Sequence, residues 1–221
     1  MDGGSDLRFS VAHNYGSRLA IVGSASFGRQ IAGHAKISGQ FEVMGFFDDF
    51  APLGEEIIGR TADIVAMHEA GKFDCLAIGV GYRQMIFRDQ ICQQVKNKVP
   101  LASIRHGSAW VDPDAVVGEG CILLNGSAVD QRTILGRNCF MSLSATVSHD
   151  SRVGDSTYMS PKATVCGNCN IGNRVFLGAG CVIRDGVTIC DDAIIGAGAI
   201  VVKNITEPGI YMGNPARQKV I

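Results

Sequence analysis

The sequence has almost no net charge, few aromatic residues and no long apolar run. Its 20 Lys and Arg residues nearly balance its 21 Asp and Glu residues, which leaves a formal net charge of −1. Neither a basic patch suited to nucleic acid nor an acidic tail is present. The apolar runs are too short to span a bilayer, so we expect neither a nucleic-acid partner nor a membrane partner.

The first segment, residues 1–18, also lacks the apolar stretch of a signal peptide. It is polar and rich in Gly and Ser, which predicts a flexible leader. We therefore expect a cytoplasmic protein. A reducing compartment suits the eight cysteines, which show no disulfide pattern.

The dominant feature of the sequence is a six-residue period. From Val111 to Val201 every sixth residue is Val, Leu, Ile or Met, and from Ala115 to Ala199 the residue two places earlier is small. This period is neither the 3.6 residues of an α-helix nor the alternation of a half-buried strand, and it is typical of a chain that turns a corner after every short strand. Three strands make one triangular coil, so the repeat predicts about five stacked coils of a parallel β-helix.

The period also accounts for glycines and cysteines. Glycine follows the aliphatic residue at six corners, where a turn requires positive φ or a close backbone approach: Gly118, Gly136, Gly154, Gly172, Gly178 and Gly196. Four cysteines lie in the small-residue column and are predicted to pack there: Cys121, Cys139, Cys169 and Cys181. Cys166 and Cys169 have the C-x-x-C spacing found in zinc and redox sites. The sequence has neither a second cysteine pair at zinc spacing nor a histidine next to this one, so packing is the favoured interpretation.

Residues 19–105 have a different pattern, in which short apolar runs alternate with helical segments. Strands are predicted over residues 19–23, 41–47 and 73–80, and helices over residues 27–38, 61–70 and 84–96. This alternation predicts a small Rossmann-like parallel sheet. The chain thus divides into the leader, an α/β domain over residues 19–105 and a β-helix domain over residues 106–221.

The turn after the first predicted strand, Gly23-Ser-Ala-Ser-Phe-Gly28, is placed to bind an anion at a helix N-terminus. The glycine pattern is incomplete, because Ala25 replaces the middle glycine. Asp48 and Asp49 end the second strand, where a carboxylate can accept hydrogen bonds from a ribose or a base. A tight structural turn and a solvated acidic pair are the alternative interpretations.

His149 is the one histidine inside the repeat, and it lies outside the aliphatic column. Imidazole can accept a proton from an attacking amine or hydroxyl, and the neighbouring Asp150 can orient it. The alternative is a solvent-facing histidine beside a turn aspartate. A zinc site of the γ-carbonic anhydrase type needs three histidines, which the repeat does not supply. We therefore predict no metal.

The hexapeptide columns, His149-Asp150, the segment Gly213-Asn-Pro-Ala-Arg217 and the front-domain Gly45-Phe-Phe-Asp-Asp49 resemble the sialic-acid O-acetyltransferase-like family of sugar acyltransferases. Within it, the chain is most similar to nucleotide-sugar 4-amino N-acetyltransferases that modify UDP-bacillosamine precursors or GDP-perosamine. The resemblance implies a left-handed parallel β-helix that assembles as a homotrimer. It also implies acetyl-CoA bound between neighbouring prisms and a nucleotide amino sugar held by the front domain, with its amino group reaching the histidine.

The resemblance also assigns site residues. It implies His149 as the base and Asp150 as its acidic partner. The acetyl-CoA positions are Gly167, whose N–H would face the thioester oxygen, and Tyr158, Ala179 and Ala197. The nucleotide-sugar positions are Ser24, Ser26, Asp48, Asp49, Gly79 and Ser142. The chain departs from many relatives at Phe27, where they carry histidine, and at Ser142, where they often carry asparagine.

Three functional hypotheses follow. The leading one is an N-acetyltransferase that uses acetyl-CoA, needs no metal and acts on a nucleotide-linked amino sugar. The second is a sugar O-acetyltransferase of the sialic-acid type. The third is a non-catalytic nucleotide-binding trimer, which is motivated by the imperfect glycine turn.

Overall fold

The computed structural model describes residues 16–219, so residues 1–15 of the predicted leader and residues 220–221 lie outside the described part. The chain separates into two compact units, whose described parts are residues 16–106 and residues 107–219. Within residues 16–219, no helix combines the length and the apolar character needed to cross a membrane.

The first unit is a four-stranded parallel sheet with helices. Its strands are β1 (Ser17–Val22), β2 (Phe41–Phe47), β3 (Ile57–Gly59) and β4 (Cys75–Ile78), in the order β3-β2-β1-β4. The helices are α1 (Ser26–Ser38), α2 (Ile64–Glu69) and α3 (Met85–Val95), with 3₁₀ turns at Thr61–Asp63 and Tyr82–Gln84 and a last strand, β5 (Ile104–Arg105). The Rossmann-like fold predicted from the sequence is confirmed.

The apolar runs of the sequence form the buried strands of this unit. Leu19, Ala20, Ile21 and Val22 of β1 are at most 1% exposed, which is typical of a central parallel strand. Strand β1 begins at Ser17, so the last two residues of the predicted leader belong to the sheet.

The second unit is a parallel β-helix of two-residue strands that form three faces. Face 1 contains Trp110–Val111, Ala128–Val129, Thr146–Val147, Thr164–Val165, Val182–Ile183 and Ile200–Val201. Face 2 contains Val116–Val117, Ile134–Leu135, Arg152–Val153, Asn170–Ile171 and Thr188–Ile189. Face 3 contains Ile122–Leu123, Phe140–Met141, Tyr158–Met159, Phe176–Leu177 and Ile194–Ile195, and continues to Ile210–Met212, which pairs with Arg217–Gln218.

The six-residue column fills the interior of the β-helix. The second residue of each two-residue strand is the aliphatic one, and from Val117 to Val201 all of these side chains are at most 2% exposed. The small column packs beside it and also forms hydrogen bonds, since several of its hydroxyl and thiol groups donate to the carbonyl oxygen 15 residues later. These include Cys121 to Gly136, Thr133 to Ser148, Cys139 to Gly154, Ser151 to Cys166, Thr157 to Gly172 and Cys169 to Arg184.

At the corners of the β-helix, positive φ and close backbone approach occur at different positions, whereas the sequence did not distinguish them. Positive φ occurs at every sixth residue from Gly120 to Gly198, and nine of these sites carry a residue other than glycine. The predicted corner glycines lie two residues earlier, and close approach is what they provide. A Cβ added to Gly154, for example, would lie 2.6 Å from the carbonyl carbon of Gly172 in the next coil.

Candidate active site

His149 lies at the corner between faces 1 and 2. Residues 18 apart stack at this corner from one coil to the next, which places Gln131, His149, Gly167 and Asp185 in one column. We call this column the His149 corner. The backbone links its coils, since the Asp150 N–H donates to the Gln131 carbonyl at 3.1 Å and the Asn168 N–H donates to the His149 carbonyl at 3.0 Å.

The imidazole of His149 is bound through one nitrogen. Its Nδ1 lies 2.9 Å from Oδ2 of Asp150, and the two side chains are 44% and 34% exposed. A proton on Nδ1 directed at the carboxylate leaves Nε2 with the free lone pair, which is the arrangement that a general base requires. The structure therefore brings the two predicted catalytic residues together.

Asp150 also has a partner in the preceding coil. The Arg132 guanidinium donates from Nε to Oδ1 at 2.6 Å and from Nη2 to Oδ2 at 2.9 Å. Arg132 first, and His149 second, hold the pKa of the Asp150 carboxyl well below its usual range. Asp150 therefore stays ionised across the neutral pH range and can orient the imidazole without taking its proton.

Gly167 lies against the imidazole. A Cβ added there would be 2.7 Å from Cε1 and 2.9 Å from Nε2 of His149, so a larger residue at this position would require the imidazole to move. Its N–H donates to Oδ1 of Asp185 at 2.8 Å. The amide predicted to face a thioester oxygen therefore already has a carboxylate acceptor, which the sequence did not indicate.

The other predicted acetyl-CoA positions, and the predicted nucleotide-sugar position Ser142, lie elsewhere on the same β-helix. Ala179 and Ala197 are exposed at the corner between faces 3 and 1, and Ser142 lies beside that corner after the strand Phe140–Met141. Tyr158 lies on face 3, opposite the His149 corner. One copy of the chain therefore brings Gly167 to His149 but leaves these four positions apart from it.

Tyr158 is part of an aromatic stack on face 3. Its ring lies 4.6 Å from that of Phe140 and 5.8 Å from that of Phe176, measured between centroids. This stack follows from strand pairing, because the three residues occupy equivalent outward positions in successive coils.

In the first unit, the glycine turn is tightly packed. Gly23 has φ of 89°, and a Cβ on Gly28 would overlap the Gly23 carbonyl oxygen. A Cβ on Gly79 would lie 2.7 Å from the Cα of Gly28. Close packing of strand ends against helix α1 therefore explains all three glycines, including Gly79, which was predicted to bind the sugar. Ser26 begins α1 and is exposed.

The structure distinguishes the two acidic residues at the end of β2. Asp48 accepts four hydrogen bonds, from the Ser24 N–H and hydroxyl on Oδ2 and from the N–H groups of Phe50 and Ala51 on Oδ1. Desolvation opposes its ionisation, but these hydrogen bonds outweigh it and place the pKa of Asp48 well below the usual range. The lone pairs of Asp48 are thus occupied, and its carboxylate links the segments that follow β1 and β2.

Asp49 is exposed and accepts two hydrogen bonds, from the Thr61 N–H at 2.8 Å and the Thr61 hydroxyl at 2.8 Å. A carboxylate has about four acceptor positions, so Asp49 keeps capacity for a ligand that Asp48 lacks. It lies at the carboxyl end of a parallel strand, where open α/β sheets bind ligands.

Two features of the site were not predicted from sequence: the contact of Arg132 with Asp150 and that of Asp185 with Gly167. Both pairs are 18 residues apart, so adding one coil length to His149-Asp150 and Gly167 would have indicated them. Within residues 16–219, no group of three His, Cys, Asp or Glu side chains is arranged to hold a metal ion.

Comparison with known proteins agrees with this fold. Residues 168–203 match the family model described as bacterial transferase hexapeptide (six repeats). A search of curated proteins gave no match.

Solved structures match over most of the chain. The acetyltransferase domain of PglB from Neisseria gonorrhoeae is 27% identical, with a TM-score of 0.83, and the match covers 92% of this chain and 100% of that one. PerB from Caulobacter crescentus, solved with CoA and GDP-perosamine, is 27% identical with a TM-score of 0.83, covering 91% of this chain and 97% of that one. WeeI from Acinetobacter baumannii, 17% identical with a TM-score of 0.63, covers 91% of this chain and 99% of that one and shares the fold. In fold and in hexapeptide sequence the chain therefore resembles the hexapeptide-repeat sugar acyltransferases, which confirms the family resemblance and the acyltransferase class predicted from its sequence.

Proposed function

We propose that the chain transfers the acetyl group of acetyl-CoA to the amino group of a nucleotide-linked amino sugar, with His149 as the general base. The observation that carries this proposal is the His149–Asp150 pair with Gly167 against the imidazole. The similarity to the PglB acetyltransferase domain, which was also solved with acetyl-CoA, and to the GDP-perosamine N-acetyltransferase supports it.

The reaction is a direct attack. The amine nitrogen forms a bond to the thioester carbon, its proton passes to Nε2 of His149, directly or through a water molecule, and the C–S bond breaks to release CoA as the thiolate. Asp150 keeps the Nδ1 proton in place and stabilises the imidazolium that forms. No step of this reaction requires a metal.

The negative charge that develops on the thioester oxygen needs a donor. The Gly167 N–H is beside the imidazole and can serve if the oxyanion replaces Oδ1 of Asp185 as its acceptor. The pantetheine chain would then run along exposed small residues of the type found at Ala179 and Ala197. Since one copy places these alanines at a different corner from His149, we propose a homotrimer in which a neighbouring copy supplies them.

The nucleotide sugar would be bound by the first unit at the carboxyl ends of β1 and β2. Helix α1 begins there at Ser26, and its N-terminus favours an anionic phosphate. Asp49 has free acceptor capacity for ribose or base donors, whereas Asp48 and Ser24 hold the turn together.

The test is the variant His149→Asn, assayed for CoA release with UDP-, GDP- and dTDP-linked amino sugars. We expect it to fold and to bind acetyl-CoA in calorimetry, but to lose about 10²- to 10⁴-fold in turnover, the usual cost of removing a general base. His68→Asn, which changes a histidine of α2 in the first unit, serves as the matched control and is expected to retain activity.

Near-normal turnover of His149→Asn would eliminate His149 as the base. Free sialic acid is the comparison acceptor, because activity on its hydroxyl alone would identify an O-acetyltransferase. Absence of acetyl-CoA binding by the wild-type protein would leave a nucleotide-binding trimer without transferase activity.

A further inference from the structure

The carboxylate that orients His149 is itself held by a bidentate arginine. Arg132 and Asp150 both have positive φ, at 54° and 58°, and they occupy equivalent positions in successive coils. The guanidinium engages both carboxylate oxygens, and a third nitrogen, Nη1, donates to Oε1 of Gln131 at 3.0 Å. Oδ2 of Asp150 is therefore shared between Arg132 and His149.

The same fork occurs a second time in the β-helix, without a histidine. Arg174 donates from Nε to Oδ1 of Asp192 at 2.7 Å and from Nη2 to Oδ2 at 2.8 Å, and both residues again have positive φ. The residue before Asp192 is Asp191, which accepts from Asn173. An arginine–aspartate fork is thus a recurring way of joining two coils, and in one of its two occurrences the aspartate also contacts an imidazole.

We propose that Arg132 is a positioning residue that acts on His149 through Asp150. This inference rests on the proposed function for its effect on turnover, but its effect on the imidazole is independent of that function. The planar fork fixes the plane of the carboxylate, and the carboxylate fixes the imidazole ring. A lysine at this position would keep the charge but would lose the second hydrogen bond.

The charge of Arg132 has a separate consequence. The charged groups around the imidazole are Asp150 and Arg132 on its own side and Asp185, two coils further on, next to Gly167. Asp114 and Asp130 also act on Arg132. Removing the guanidinium takes away a positive charge that opposes protonation of His149, so the imidazolium becomes more favourable.

The experiment compares Arg132→Gln, Arg132→Lys and Arg174→Gln in the full chain. For Arg132→Gln we expect kcat to fall about 10- to 100-fold through misplacement of the base. The acid limb of the kcat/KM profile should move up by about half a pH unit, since one nearby charge is lost in a solvent-exposed site. Arg132→Lys should keep the position of the acid limb and lose part of kcat, while Arg174→Gln should change neither.

Titration of the His149 Cε1 proton by NMR, assigned with His149→Asn, gives the second readout. A higher midpoint in Arg132→Gln than in Arg174→Gln and wild type supports the proposal. Identical midpoints, or an equal loss of activity in Arg132→Gln and Arg174→Gln, would overturn it and leave the fork as a structural link. If wild type transfers no acetyl group, the proposed function fails, and the NMR comparison still decides whether Arg132 acts on the His149 imidazole.

Discussion

At the scale of single residues, the candidate chemistry depends on a backbone conformation that most side chains avoid. Asp150 is at a corner with φ of 58°, where Asp and Asn are favoured among residues other than glycine. From this position its carboxylate reaches back to Arg132 and sideways to His149. The corner that closes the coil therefore also determines which way the His149 imidazole points.

Gly167 limits the space around the His149 imidazole, which gives a prediction. Gly167→Ala should fold, because no positive φ is required there, but its methyl group must displace the imidazole. We expect turnover to fall about 100-fold, because small misplacements of a catalytic group have effects of this size. The measurement is kcat with acetyl-CoA and the accepted sugar, and Gly107→Ala, where an added Cβ meets nothing within 4 Å, is the control. Equal activity of the two variants would contradict the proposed need for a precisely placed His149 imidazole.

Some of these residues could be predicted from the sequence, and others could not. His149 and Asp150 could be found because the period does not require them. Arg132 could not be found in the same way, since an arginine at an exposed corner is an ordinary solvated side chain until it is paired with the residue one coil later. Asp48 and Asp49 are adjacent and chemically identical, and only their hydrogen-bond partners separate them.

At the scale of the elements, the β-helix was predictable because one repeat specifies both its strands and its core. The strand Phe41–Phe47 was also predicted with its observed bounds, since an apolar run ends there at two acidic residues. Strand β3 was missed because its three residues are too few to show a pattern. The predicted helix over residues 61–70 is a 3₁₀ turn followed by the short helix α2, a difference that periodicity does not reveal.

The corners give a prediction at this scale, because close approach and positive φ occur at different positions. Gly154→Ala places a methyl group 2.6 Å from the backbone of the next coil and should lower the free energy of unfolding by about 1–3 kcal/mol. Lys162→Gly relieves a positive φ of 58° but adds freedom to the unfolded chain, so its effect should stay within about 1 kcal/mol. Urea unfolding of both variants checks this, and a larger loss for Lys162→Gly would show that the two requirements had been assigned to the wrong positions.

At the scale of the whole molecule, the chain combines two units that carry different functional groups. The β-helix unit carries His149, Asp150 and Gly167, while the α/β unit carries the helix N-terminus at Ser26 and the carboxylate of Asp49. From Val111 to Val201 the β-helix has an unbroken register, with no loop inserted among these residues, and we therefore propose that the α/β unit recognises a large acceptor. A substitution at the proposed sugar site of the α/β unit should therefore affect binding of the nucleotide amino sugar without affecting binding of acetyl-CoA.

Asp49→Asn and His149→Asn test this division by thermal-shift titration. Asp49→Asn should weaken binding of the nucleotide amino sugar by about 10- to 100-fold, because a hydrogen bond to a charged acceptor is lost. The rise in its melting temperature on addition of acetyl-CoA should stay unchanged. His149→Asn should keep the stabilisation by both ligands and lose turnover. Asp74→Asn is the control, since Asp74 precedes β4 at the amino end of the sheet, where an exposed ion pair with Arg18 contributes little. If Asp49→Asn and Asp74→Asn respond alike to the nucleotide sugar, then the carboxyl end of β2 does not bind it, and acceptor recognition lies elsewhere in the molecule.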